Sequence, residues 1–186
     1  MSCILTSGRL KPCKDAIGGI RKLYFVDFGV LGDVTITDDE VTEISGTFDY
    51  YEYDVKGNSD LTQTVNSSNE NGTTFYEQVV NATFTKLTKE DNKELKLMAY
   101  GRPHVFVEDY KGNVMVVGLE NGADVTEGTS VTGRAMGDLN GYTLALTGNE
   151  ITYANFVDPA LNIGGFLAAI SGVATAGTQR DPGVSA

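Results

Sequence analysis

The sequence predicts a mainly β protein, a β-sandwich or barrel of about seven to nine strands. One flanking α-helix near residues 89–100, an extended polar loop and a C-terminal arm complete the expected architecture. Three observations carry this. Apolar and aromatic residues alternate with period two along most of the chain. One stretch alone has a helical apolar stripe with stop and start signals at its ends. Hydrophobic residues make up 41% of the 186, enough for a packed core in one domain.

Taken in order, Arg21–Gly29 is rich in aromatic and β-branched residues, which favour a strand. Ile36–Ile44 places Asp38-Asp39-Glu40 between β-branched segments and predicts strand, turn, strand. Phe48–Val55 alternates, with Phe48, Tyr50, Glu52 and Asp54 on one face and Tyr51, Tyr53 and Val55 on the other. The second set is the expected core face. Gly57–Gly72 is polar, Ser/Asn-rich and about 16 residues long, and reads as a functional loop. Thr73–Leu87 reads as one extended strand or two joined by a bulge.

Thr88-Lys89-Glu90-Asp91 resembles a capping box, and Leu95, Met98 and Ala99 fall on one stripe. Gly101 supplies the C-cap and Pro103 prevents continuation. Lys89, Lys93 and Lys96 with Glu90 and Glu94 take the solvated face. Val105–Glu108 and Val114–Val117 then flank a turn at Asp109–Asn113. Ala123–Gly133 and Gly141–Gly148 read as two more strands, joined by a loop that needs glycine at Gly137 and Gly141. This domain is expected to span 1–158. Residues 159–186 form a Gly/Ala-rich arm with no charge between Ala160 and Gln179. Its glycines and polar residues make it a poor membrane span, and a segment ordered against a neighbouring subunit is the expectation.

Charge sets the functional boundaries. There are 25 acidic and 14 basic residues, a net charge of −11, which opposes any surface that grips nucleic-acid phosphates. One histidine, His104, and two cysteines, Cys3 and Cys13, cannot build a structural zinc site within one chain. No secretory leader opens the sequence, so a cytoplasm is the expected site of synthesis, with the two thiols reduced. No nucleophile elbow, phosphate loop or dinucleotide fingerprint occurs. Asp38-Asp39 and Glu108-Asp109 are acid pairs beside turns, which read as solvated surface before catalysis. His104 reads as structural. The expectation is therefore a protein that is not an enzyme, with no cofactor and no metal.

The acids are concentrated. Asp33, Asp38, Asp39, Glu40, Glu43, Asp49, Glu52, Asp54 and Asp60 face a single base, Lys56, within 28 residues. Such a segment is either a solvated face or a wall that repels polyanions.

The run Asn66-Ser67-Ser68-Asn69-Glu70-Asn71-Gly72-Thr73, the following strand and the single short helix resemble tail tube proteins of tailed bacteriophages. So do the Val105–Gly118 hairpin and Gly137–Gly148, and the closest likeness is to those of phages infecting Bacteroidota. The resemblance covers about Ile20–Glu150. It implies a structural virion protein, made in the host bacterial cytoplasm, whose hexameric rings stack into a tube. Its partners would be further copies and other tail proteins, with DNA only as cargo. By the same analogy, Asp49, Glu52 and Asp54 are candidate lumen-lining acids. Asn58, Asp60, Asn66, Asn69, Glu70 and Asn71 are the candidate inter-ring loop. The glycine-rich arm departs from the simplest family pattern and admits a single-ring neck, terminator or hub protein. A module that recognises host-surface glycan through Tyr50, Tyr51 and Tyr53 is the competing class, and a two-carboxylate hydrolase the remotest.

Overall fold

A computed structural model describes residues 8–11, 14, 17–55, 57–158 and 174–176. The fold is mainly β with one helix, two sheets packed as a sandwich. Cys3, Cys13 and most of the arm beyond Asp158 lie outside the described residues.

The large sheet is built from β1 (Ile20–Val26), β2 (Val34–Thr37), β3 (Glu40–Ile44), β4 (Phe48–Asp54), β7 (His104–Asp109), β8 (Val114–Val117), β11 (Asn155–Val157) and β12 (Ala174–Ala176). Their order is β12-β4-β1-β7-β8-β11-β3-β2. The small sheet contains β5 (Asp60–Ser68), β6 (Thr73–Thr85), β9 (Asp124–Val131) and β10 (Gly141–Glu150), in the order β5-β6-β10-β9. Helix α1 (Lys89–Tyr100) follows β6.

Alternation along the central strands feeds two cores. Leu23 and Phe25 on β1, with Val105 and Val107 on β7, face the small sheet, where Val80, Ala82, Leu144 and Leu146 meet them. Tyr24, Val26 and Phe106 point the other way, into a second cluster with Phe48, Val41, Ile44 and Val157. That cluster draws on both ends of one sheet, so the large sheet is rolled and closes on its own far face. The mixed sandwich and barrel character comes from this curl.

The helix begins as its sequence dictates. Thr88 accepts from the Asp91 N–H at 3.1 Å and donates to the Asp91 carboxylate at 2.5 Å. Gly101 ends it in extended backbone, φ −99°, its N–H directed at the Leu97 and Met98 carbonyls. Leu95 and Met98 pack on the first core, but Ala99 is exposed and no helix residue is fully buried.

Four expectations change. The segment Gly57–Gly72 is not a structureless loop: β5 occupies most of it and pairs with β6 from Asp60↔Asn81 to Ser68↔Thr73. Backbone pairing and polar side-chain contacts, such as Ser67 to Thr74 at 3.0 Å, make a strand without an apolar face. On β4 the core face is not the Tyr51 side alone. Val55 is buried and Tyr53 half-buried, but Tyr51 is 41% exposed, while Phe48 is buried and Tyr50 packs on the second core. The nine acids of Asp33–Asp60 are distributed over several elements and both faces of β4, where Asp49 points opposite to Glu52 and Asp54. Gly141 is required by close approach rather than by backbone angle, since a Cβ there would lie 2.0 Å from the Phe84 carbonyl oxygen; Gly137 has open space.

The Asp38-Asp39 turn is as expected, both residues in left-handed backbone between β2 and β3. β6 is a single strand of 13 residues.

Candidate functional site

The outer face of the small sheet has a composition the rest of the molecule lacks. Its four strands contain no Lys, Arg or His. With Val80 and Leu146 facing the core, the register turns Thr62 and Thr64 of β5 and Thr83 of β6 outward. Thr143 and Thr147 of β10 face the same way, as does Thr129 of β9. The hydroxyls are paired across strands: Thr126 meets Thr147 at 3.1 Å, and Thr129 bonds Thr143. Asp60, Glu77, Asp124 and Glu127 supply negative charge on this face. Asp60 accepts from the Asn81 amide at 3.2 Å. The result is a hydroxyl-rich, anionic surface with no Lys, Arg or His on its strands.

Both edges of this sheet are open among the described residues, at β5 and β9. All its pairings are antiparallel, so with four strands β5 and β9 run in opposite directions. The two open edges therefore run antiparallel to each other. β9 carries no buried residue.

The candidate inter-ring residues fall on the β5–β6 hairpin and its approach. β10 pairs with β6 only as far as Tyr76, so the ribbon from Asn66 to Phe75 overhangs the sheet. Asn69, Glu70 and Asn71 sit exposed in its turn, closed by Gly72 at φ +63°. Asn66 lies on the overhang, Asp60 at its base, and Asn58 precedes it in left-handed backbone.

Of the candidate lumen acids, Glu52 and Asp54 share one face of β4 and both act on Lys22, while the exposed Asp49 points to the other face. Glu52 is held by Lys22, whose ammonium it raises above the ordinary range chiefly through that hydrogen bond. The tyrosines do not form a platform: Tyr53 packs against Phe25 and Phe84 at 5.1 and 5.3 Å, and Tyr50 against Tyr24 at 6.1 Å. Among the described residues no group of three or more His, Cys, Asp or Glu converges. No described helix is long and apolar enough to cross a membrane.

Beneath the small sheet lies a polar hub absent from the sequence reading. Gln78, 1% exposed, accepts from the Gly118 N–H at 3.1 Å and donates to the Thr152 carbonyl at 3.1 Å. His104 meets the Gly118 carbonyl through Nδ1 at 2.7 Å and accepts from the Gly29 N–H at Nε2, 3.1 Å. Because Gly29 supplies a hydrogen, Nε2 is the acceptor and Nδ1 donates, so the neutral tautomer is the one that fits. Glu150 accepts from the Glu120 and Asn121 N–H groups at 3.0 and 2.9 Å. These bonds pin the loop Gly118–Gly122 between the two sheets.

Burial holds the His104 imidazole below its ordinary 6.5. The unfolded chain therefore binds more protons just below pH 6.5, and stability falls as pH drops through that value. Glu150 has the opposite sign: burial raises its carboxyl above 4.5, so its contribution declines as pH rises from there. Urea midpoints measured from about pH 7 to about pH 5 should show a larger acid-side loss in wild type than in His104→Gln. Equal slopes in the two proteins would exclude His104 as the source.

Comparison with known proteins finds no matching family model, no matching curated protein and no matching solved structure.

Proposed function

We propose that this chain is a structural virion subunit, a tail-tube-like protein that closes into rings and stacks to enclose a channel for DNA. The observation that carries it is the base-free threonine face of the small sheet. DNA passing such a wall finds no Lys or Arg to exchange for its counterions, so it gains no binding free energy along the path. Hydroxyls keep the wall wetted, and the acids repel the phosphates at short range, within a Debye length of about 8–10 Å. The even strand count supports the same reading, since rotation joins the open edges into one antiparallel barrel and removes them from solvent. Sixfold closure follows the family resemblance.

In this reading the channel wall is the small sheet, with Asp60, Glu77, Asp124 and Glu127, in place of Asp49, Glu52 and Asp54. Negative-stain electron microscopy and sedimentation of the concentrated protein should reveal rings or tubes with a central channel. A monomer at every concentration would overturn the proposal. Rings that never stack would favour a neck, terminator or hub role. A Thr83→Lys/Thr143→Lys variant should still form rings but retard linear duplex DNA, with retention falling steeply as salt rises. Rings of that variant that ignore DNA would place the channel elsewhere.

A further inference from the structure

The helix α1 exposes a stripe that nothing in the described chain covers. Lys89, Lys93, Lys96, Leu97 and Tyr100 fall on one face at helical spacing. Leu97 is 58% and Tyr100 92% exposed, and none of the three lysines is in an ion pair among the described residues. A surface helix normally turns its large apolar residues inward. Here Leu95 and Met98 face the core, and the outer stripe adds a second apolar set among cations.

The complement lies on the same chain. From Gly57 to Thr85 there is no basic residue, while Asp60, Glu70 and Glu77 give three negative charges. The overhanging hairpin carries Val65 and Phe75, each 43% exposed, on opposite faces of the ribbon. A two-stranded ribbon with apolar groups on both faces is marginal alone and gains from being clasped. The two surfaces cannot meet within one molecule. The hairpin turn precedes β6 and the helix follows it, so the 13 residues of β6 hold them about 40 Å apart along the strand.

We propose that α1 is the acceptor for the β5–β6 hairpin of a second copy, stacked head to tail along the direction of β6. The inference rests on the ring-stacking reading above and adds to it the partner surface and its chemistry. Glu70 at the hairpin turn lies against the Lys89/Lys93/Lys96 stripe, and Val65, on the core-facing side of the ribbon, covers Leu97 and Tyr100. The lysine stripe lies at one end of β6, on a helix whose Glu90, Asp91 and Glu94 fall beside it, and Glu70 lies at the other end, so each added layer exposes a fresh acidic turn and leaves one lysine stripe. Stacking is therefore directional and weakens with salt, because surface charge pairs are screened.

The test uses the full chain and two single-site families. Lys93→Glu should form single rings at wild-type concentration but need at least a tenfold higher concentration to stack. Glu70→Lys, at an exposed turn where folding is not at stake, should show the same defect. Combining Glu70→Lys with Lys93→Glu should restore stacking. Sedimentation separates rings from tubes, and far-UV circular dichroism checks the fold. Tubes from both reversed variants at the wild-type concentration and salt dependence would overturn the helix as acceptor while leaving ring formation intact. Stacking lost in the single variants and not regained in the combination would likewise exclude this pairing. Wild type that never forms rings would instead remove the underlying reading.

Discussion

Phe106→Ala is expected to cost about 3–5 kcal/mol of folding stability, the largest loss for a single core truncation in this chain. Phe106 is fully buried at the middle of β7, flanked by Tyr24 on β1 and Val116 on β8. Its cluster also includes Phe48, Val41 and Val157, contributed by strands from opposite ends of the rolled sheet. The ring is thus the wedge around which the sheet curls. Hydrogen-bonded ladders on either side resist collapse into the vacated space, so the transfer loss and the cavity cost add. Against a domain stability of about 5–15 kcal/mol, that is roughly a fifth or more of the total. Urea unfolding followed by circular dichroism should show a much lower midpoint with an unchanged slope. Phe75→Ala, on the exposed overhang, should stay within about 0.5 kcal/mol of wild type. Equal destabilisation by the two substitutions would refute the assignment of Phe106 to the closing core.

Gly118→Ala should follow at about 3 kcal/mol or more. Gly118 has φ +68°, and a Cβ there would lie 2.4 Å from the Gly122 carbonyl carbon and 2.7 Å from the Ala123 nitrogen. Both are backbone atoms and cannot swing aside. The same residue donates its N–H to Gln78 and offers its carbonyl to His104, so a shift breaks the bonds that tie the loop to both sheets. Gly112→Ala is the matched control. Gly112 also has positive φ, +84°, but no atom lies near the added methyl, so only the backbone term of about 1–2 kcal/mol applies. Thermal unfolding of the pair separates close approach from backbone angle. Equal losses would mean that the loop yields and the hub is not rigid.

Legibility in the sequence followed the range of the interaction. Thr88 and Asp91 are three residues apart, and their mutual capping needs no tertiary partner, so the helix start was readable. The Asp38-Asp39 turn and the Val105–Val117 hairpin are local in the same sense. β5 was not readable because its outward residues are Asp60, Thr62, Thr64, Asn66 and Ser68; without an apolar stripe, only pairing with β6 reveals a strand. β11 is three residues long and pairs in parallel with β3 across more than a hundred positions, a contact no local pattern encodes. The base-free face of the small sheet was not readable for a different reason. The acids cluster in sequence at Asp33–Asp60, whereas the absence of bases is spread over four separate strands.

The sequence by itself determined the helix, the strands with an apolar stripe, and the excess of acidic over basic residues. Alternation also divided each strand into two sets of side chains. Only the tertiary structure decided which set is covered. On β4 both are, Phe48 and Tyr50 by the curl of their own sheet, Tyr53 and Val55 by the small sheet. The physical reason is that period two fixes direction relative to a strand, while burial depends on strand order and curl, set by contacts far apart in the chain. The same order gathers the threonines of β5, β6, β9 and β10 onto one open face.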